Sequence, residues 1–189
     1  MIRIGILGDI GSGKTYIAQS FGLPVFNADY EVGKLYKKNK KVFSKLKKKL
    51  PEFIHSFPID KKEISVAILK DKKNLKKIIK IIHFEIRKKL NLFLKNNKNK
   101  KIIVLDIPLL LENKINNKKD ILIFIQSKKV DILKKLKKRS NYNQKLLKIL
   151  RDIQLPLDYK KKKSHFIIKN DFKKKYVKLK IKNILREIS

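Results

Sequence analysis

The stretch Ile2-Arg3-Ile4-Gly5-Ile6-Leu7-Gly8-Asp9-Ile10-Gly11-Ser12-Gly13-Lys14-Thr15 decides the fold. Its opening residues are mostly apolar and end at glycine, the pattern of a strand buried on both faces of a parallel sheet. Residues 8–15 then match G-x-x-x-x-G-K-[ST] in full. Glycines at these positions let successive backbone N–H groups turn inward around an anion, and the N-terminus of the following helix adds its dipole. Lys14 is placed to reach the β and γ phosphates of ATP, and the Thr15 hydroxyl to ligate Mg²⁺. The nucleotide-binding candidates are therefore Gly11, Ser12, Gly13, Lys14 and Thr15, with Tyr16 offering its backbone N–H to the α phosphate.

Outward from this loop, Lys14 to Phe21 reads as a helix and Pro24 to Asn27 as a second strand running into Ala28-Asp29. Strand, loop, helix and strand in about thirty residues make a βαβ unit, which favours an α/β sheet with right-handed crossovers. Residues 30–98 hold no convincing strand. Apolar residues recur there at Leu75, Ile78, Ile79, Ile82, Ile86, Leu90 and Phe93, a helical stripe with lysines between. Strands return at Lys101 to Asp106, Ile121 to Ile125 and His165 to Ile168, and Asp171 to Ile188 fits a terminal helix. The expectation is one domain over 1–189, with a core of about 1–29 and 101–189 and a helical insertion of about 30–98.

Two carboxylates stand at strand ends, where parallel α/β sheets bind ligands. Asp29 reads either as a general base for an attacking hydroxyl or as a cap for a helix starting near Tyr30. Asp106 reads either as a holder of the Mg²⁺ shell or as a turn residue before Pro108. The loop alone leaves ATPase, GTPase, kinase and motor open. A GTPase reading, which needs an N-K-x-D base-reading segment, is set aside, and the short chain with its helical block points to small-molecule and nucleotide kinases.

The charge invites another reading. Lys and Arg number 51 against 16 Asp and Glu, a net +35 that suggests nucleic acid. Only Arg3, Arg87, Arg139, Arg151 and Arg186 are arginines; the rest are lysines, in a chain also rich in Ile and Asn. All three residue types have A/T-rich codons, so drift of the genome toward A and T explains the excess without a partner. The surplus also spares the informative segments: residues 1–33 carry Arg3 and Lys14 against Asp9, Asp29 and Glu31, and 102–127 balance Lys114, Lys118 and Lys119 against Asp106, Glu112 and Asp120. The absence of cysteine excludes a disulfide framework and a Cys-ligated metal. No signal-peptide pattern and no membrane-length apolar run occur, so a cytoplasmic protein with no membrane partner is expected. His55 and His165 carry no ligand signal.

The motifs together resemble one family, dephospho-CoA kinase. Its G-G-I-G-S-G-K-[ST] loop is similar to GDIGSGKT at 8–15, and its D-A-D after a hydrophobic pair to Val25-Phe26-Asn27-Ala28-Asp29. An I-D-R element resembles Ile59-Asp60-Lys61, and a helical H-P resembles His83-Phe84. D-[IV]-P-L-L-x-E corresponds to Asp106-Ile107-Pro108-Leu109-Leu110-Leu111-Glu112. A basic lid helix corresponds to Lys135 to Arg139, Q-x-P-x-x-x-K to Gln154 through Lys160, and a strand ending I-x-N to Ile168-Lys169-Asn170.

The resemblance implies a three-layer α/β P-loop kinase fold with a parallel five-stranded sheet, a helical acceptor-binding block and a basic lid over about 135–160. It implies phosphoryl transfer from ATP, with Mg²⁺, to the ribose 3′-hydroxyl of dephospho-CoA, the last step of coenzyme A biosynthesis. In that reading Asp29 is the catalytic base, assisted by Lys14 and by Arg139, which sits four residues after Lys135 on one helix face. His83, Pro108, Leu109, Leu110 and Lys160 belong to the acceptor side, Asn170 to the nucleotide side, and Thr15 with Asp106 to the metal. No specific nucleic acid is implied, and a monomer is expected. The alternatives are a kinase for another hydroxyl or nucleotide acceptor, and a non-catalytic basic P-loop protein binding nucleic acid. Four positions depart from the family pattern: Asn27 for an acid, Phe84 for proline, Lys135 for arginine and Phe172 for glycine.

Overall fold

The computed structural model describes residues 1–188. The elements run β1 (Ile2–Gly8), α1 (Lys14–Ser20), β2 (Val25–Asn27), α2 (Ala28–Lys38), α3 (Lys40–Lys49), α4 (Lys61–Lys70) and α5 (Lys72–Asn96). They continue with β3 (Ile102–Asp106), β4 (Ile121–Gln126), α6 (Lys129–Lys137), α7 (Gln144–Asp152), α8 (Leu157–Lys162), β5 (Phe166–Lys169) and α9 (Lys174–Ile188). They divide into two compact units. Of the described residues, the first comprises 1–27, 97–142 and 151–188, and the second Ala28–Asn96 and Asn143–Leu150.

The first unit is built on a sheet of order β2-β3-β1-β4-β5, every pairing parallel. β1 is central because it is buried on both faces. Ile4 and Ile6 face one way, into a core with Ile17 and Ala18 of α1, Phe21 just after it, Val177, Ile181 and Ile184 of α9, Ile123 of β4 and Ile168 of β5. Gly5 faces the other way, and its missing side chain is what lets Leu110 in: a Cβ there would lie 2.6 Å from the Leu110 Cδ2. α8 packs against β1. The result is three layers, as the alternation of apolar strands with helices predicts. At the amino end of the sheet, the Arg3 guanidinium donates to Asp120 at 3.0 Å and to the Ile115 carbonyl at 3.0 Å. His165 is structural, its ring nitrogen accepting from the Leu122 N–H at 3.0 Å.

The second unit is helical. The expected stripe forms the inner face of α5, with Leu75, Ile78, Ile82, Ile86 and Leu90 buried, and α2, α3 and α4 pack against this helix. Caps set the helix starts: Asn39 accepts from the Val42 N–H at 3.0 Å and Asp60 from the Lys62 N–H at 2.9 Å.

Three boundaries differ from the sequence expectation. β2 ends at Asn27, so Asp29 lies in the first turn of α2, not at a strand end. α9 starts at Lys174 because Asp171 accepts from the Lys173 N–H at 2.9 Å, an Asx turn that competes with helix. α6 stops at Lys137, where the Arg139 N–H bonds back to the Leu136 carbonyl at 3.0 Å and Ser140-Asn141 turn the chain. Lys135 and Arg139 therefore do not share a helix face, and Arg139 is an exposed turn residue. Among the described residues no helix is long and apolar enough to cross a membrane.

Ile123 is fully buried on β4, between β1 and β5 and against the α1–α9 core. Ile123→Ala is expected to cost about 2–5 kcal/mol, through lost transfer energy and an unfilled cavity. The measurement is the urea midpoint at constant slope.

Candidate active site

The phosphate loop leaves the carboxyl end of β1, and two glycines there have no substitute. Gly13 caps α1 in a left-handed conformation with φ 91°, and a Cβ would strike the Asn170 amide. Gly8, at φ 146°, would bring a Cβ within 2.8 Å of the Ile125 carbonyl oxygen. Asn170, at the end of β5, is the loop's outer support: its amide donates to the Ser12 carbonyl at 2.8 Å, to which the Ser127 hydroxyl also donates at 3.1 Å. Phe172 follows in a left-handed turn with φ 65°, its N–H on the Asn170 side-chain oxygen at 3.0 Å and the Lys135 ammonium 4.8 Å over its ring.

Inside the loop, Lys14 folds back so that its ammonium donates to the carbonyls of Gly8 at 3.2 Å and Asp9 at 2.8 Å. Thr15, one residue on, donates its hydroxyl to Asp106 Oδ2 at 2.6 Å. The Asn27 amide, from the end of β2, donates to that same oxygen at 2.7 Å. Asp106 is only 3 % exposed. Thus the residue standing for the family's first acid in D-A-D is a neutral donor to the buried carboxylate. A hydroxyl and a carboxylate side by side are hard oxygen donors suited to Mg²⁺, which keeps waters and substrate phosphates as its other ligands. No cluster of three or more His, Cys, Asp or Glu able to hold a metal occurs among the described residues.

The DIPLLLE and QLPLDYK segments meet. Lys160, 1 % exposed, places its ammonium 2.7 Å from Glu112 Oε1 and 3.1 Å from the Gln154 side-chain oxygen. The Leu155 N–H donates to Glu112 Oε1 at 2.9 Å. Of the apolar members, Leu110 is fully buried over Gly5, whereas Pro108 and Leu109 are partly exposed in the turn after β3.

In the helical unit, His83 is half-buried on α5, its pKa pushed below the usual histidine value by burial and by the charge of Arg87. Asp29 is exposed in the first turn of α2 and Tyr16 is exposed on α1. Arg151 is absent from the sequence expectation. Its guanidinium grips the carboxylate of Asp9 through Nε at 3.1 Å and Nη2 at 2.8 Å.

The chain does contain one N-K-x-D string, Asn117-Lys118-Lys119-Asp120. It precedes β4 at the amino end of the sheet, where Asp120 is buried on Arg3. The phosphate loop lies at the opposite, carboxyl end, so the string reads no base bound there.

The architecture is that of the P-loop kinases: shikimate kinase from Bacteroides thetaiotaomicron shares it at TM-score 0.52 and 8 % identity, over 99 % of this chain and 98 % of that one. Within that class, the dephospho-CoA kinase family profile matches residues 2–175, and the chain belongs to that family. The dephospho-CoA kinase of Wolbachia sp. subsp. Brugia malayi is 34 % identical over 191 residues, covering 98 % of this chain and 97 % of the relative. The solved dephospho-CoA kinase from Campylobacter jejuni has TM-score 0.61 and 26 % identity over 99 % of this chain and 97 % of that one. A Thermus thermophilus structure reaches TM-score 0.74 at 24 % identity, covering 100 % and 98 %.

Removing one partner of a buried ion pair strands the other charge. Lys160→Met is accordingly expected to cost about 3–5 kcal/mol in urea unfolding, and Lys160→Met with Glu112→Leu much less. Lost turnover at unchanged stability would instead make Lys160 a substrate contact.

Proposed function

We propose that this kinase transfers the γ-phosphoryl group of ATP to the ribose 3′-hydroxyl of dephospho-CoA, giving coenzyme A and ADP. The observation carrying the reading is the Thr15–Asp106–Asn27 junction beside the phosphate loop, found in a chain of the dephospho-CoA kinase family. The triphosphate lies along the inward N–H groups of Gly11 to Tyr16, with Lys14 leaving the loop carbonyls for the β and γ phosphates. Thr15 and Asp106 would hold Mg²⁺, which supplies charge neutralisation on the phosphates when bound.

Asp29 takes the proton of the 3′-hydroxyl as that oxygen forms its bond to the γ phosphorus and the bond from the γ phosphorus to the β–γ bridging oxygen breaks. Its exposed carboxylate is two residues from Asn27, which already touches Asp106. Pro108 and Leu109 would face the acceptor, and His83, carried by the helical unit, is an acceptor-side residue by the family resemblance alone. Leu110 and Lys160 would support that surface from within, since both are buried. Arg139, exposed in its turn, would meet the phosphates, and Asn170 would hold the nucleotide side of the loop. Every role is filled by one chain, so a monomer suffices, and the small soluble substrates suit the cytoplasm.

The decisive measurement is mass spectrometry of the product after incubation with Mg-ATP and a panel of hydroxyl acceptors including dephospho-CoA. Consumption of another acceptor with no CoA formed would refute the assignment. Asp29→Asn is expected to retain ATP binding and lose turnover by roughly 10² or more; unimpaired turnover would remove Asp29 as the base.

A further inference from the structure

A phosphate-binding loop works by presenting positive potential, yet this one contains a carboxylate. Asp9 follows the first loop glycine, and its side chain is only 14 % exposed. Unneutralised, a half-desolvated negative charge in the loop would oppose the triphosphate more strongly than any surface charge, because water screens it poorly. Its surroundings meet that problem atom by atom. Asp9 Oδ1 accepts the Ile10 N–H at 2.7 Å and Arg151 Nε at 3.1 Å; Oδ2 accepts Arg151 Nη2 at 2.8 Å. The Asp9 backbone carbonyl takes the Ser12 N–H at 3.2 Å and the Lys14 ammonium at 2.8 Å. Asp9 thus shapes the loop from its first turn to its lysine, at the electrostatic cost of one negative charge.

We propose that Arg151 is the counter-cation of the phosphate loop, a positioning residue that cancels the Asp9 carboxylate and fixes its direction so that ATP meets only inward N–H groups and Lys14. The residue type agrees. Arginines are five of the 51 basic residues, and the forked, paired geometry on Asp9 is one that lysine cannot supply. Arg3, bridging Asp120 and the Ile115 carbonyl, is a second place where a fork is used. Arg151 acts through Asp9 and does not itself touch the nucleotide. The proposal rests on the loop being the ATP site and is independent of the acceptor.

The test is calorimetric titration of the full chain with Mg-ATP at low and high KCl. Arg151→Ala is expected to weaken binding at least tenfold at low salt. In an Asp9→Asn background the same substitution should cost less than threefold. The penalty should shrink at high salt, and Arg151→Lys should recover part of it, because the charge returns without the fork. In turnover with whichever acceptor is used, KM for ATP should rise while kcat stays within about threefold. A thermal midpoint near that of the parent would show Arg151→Ala to be folded, and collapse of the fold would persist in the Asp9→Asn background, contradicting the expected rescue. Equal penalties in both backgrounds would make Arg151 a direct nucleotide contact and overturn the proposal, as would no penalty in either. If the parent chain takes no ATP, the reading of the loop falls and the proposal with it. If it binds ATP but forms no CoA, only the acceptor assignment falls.

Discussion

One oxygen atom organises the site. Asp106 Oδ2 is buried at the end of β3 and must find donors, since an unmatched carboxylate there would carry its full desolvation cost. The donors come from both flanks: Thr15 from the helix after β1, and Asn27 from the end of β2. β3 lies between β1 and β2 in the sheet, so the strand order is what lets three segments distant in sequence converge on a single atom. Thr15 can do so only if the loop before it takes its tight path, which requires Gly8 and Gly13 and the Asn170 brace on the Ser12 carbonyl. The phosphate loop is thus the middle of a network spanning the sheet from β2 to β5.

A second buried acid plays a comparable part away from the phosphates. Glu112 ends the segment that begins at Asp106; Lys160 and the Leu155 N–H gather on it, and the Lys160 ammonium also donates to the Gln154 side-chain oxygen. Lys160 is almost wholly enclosed although most lysines of this chain lie on the surface. Its ammonium belongs there because Glu112 is there, and each residue alone would be an uncompensated charge. The turn holding Pro108 and Leu109 lies between Asp106 and Glu112, and is therefore flanked at both ends by carboxylates anchored through one oxygen each, Asp106 Oδ2 and Glu112 Oε1.

What was legible in the sequence follows from which forces are periodic. The strands, the stripe of α5 and the phosphate loop announce themselves, because apolar alternation and glycine placement are local patterns that burial imposes everywhere along an element. The pairing of Asp9 with Arg151 has no such signature: 142 residues separate the two, and Arg151 looks like any other cation in a basic helix. The same holds for Glu112 with Lys160, whose motif was visible and whose burial was not. The end of α6 was misread because lysines at 134, 135, 137 and 138 have good helix propensity and hide the stop, which is set by Ser140 and Asn141 beyond them. Asn27 was visible as a departure from the family's acid, but its compensating function, donating to Asp106, required the neighbouring strand end to be in view.

The large positive charge takes on a different meaning once its placement is known. Acids sit in the first turns of α2, α4, α6 and α8, and bases in the last turns of those same helices, the arrangement that helix dipoles favour. A small part of the lysine excess, nine residues, therefore lies at helix ends that favour it. α1 differs: it has neither an acid in its first turn nor a base in its last. An acid at that N-terminus would compete for the very N–H groups that a phosphate needs, and the acid within the loop itself, Asp9, is held by a forked arginine. The fold tolerates cations broadly on its surface but controls charge residue by residue around the phosphate loop. It is this local control, more than the net charge, that an anionic substrate meets at the site.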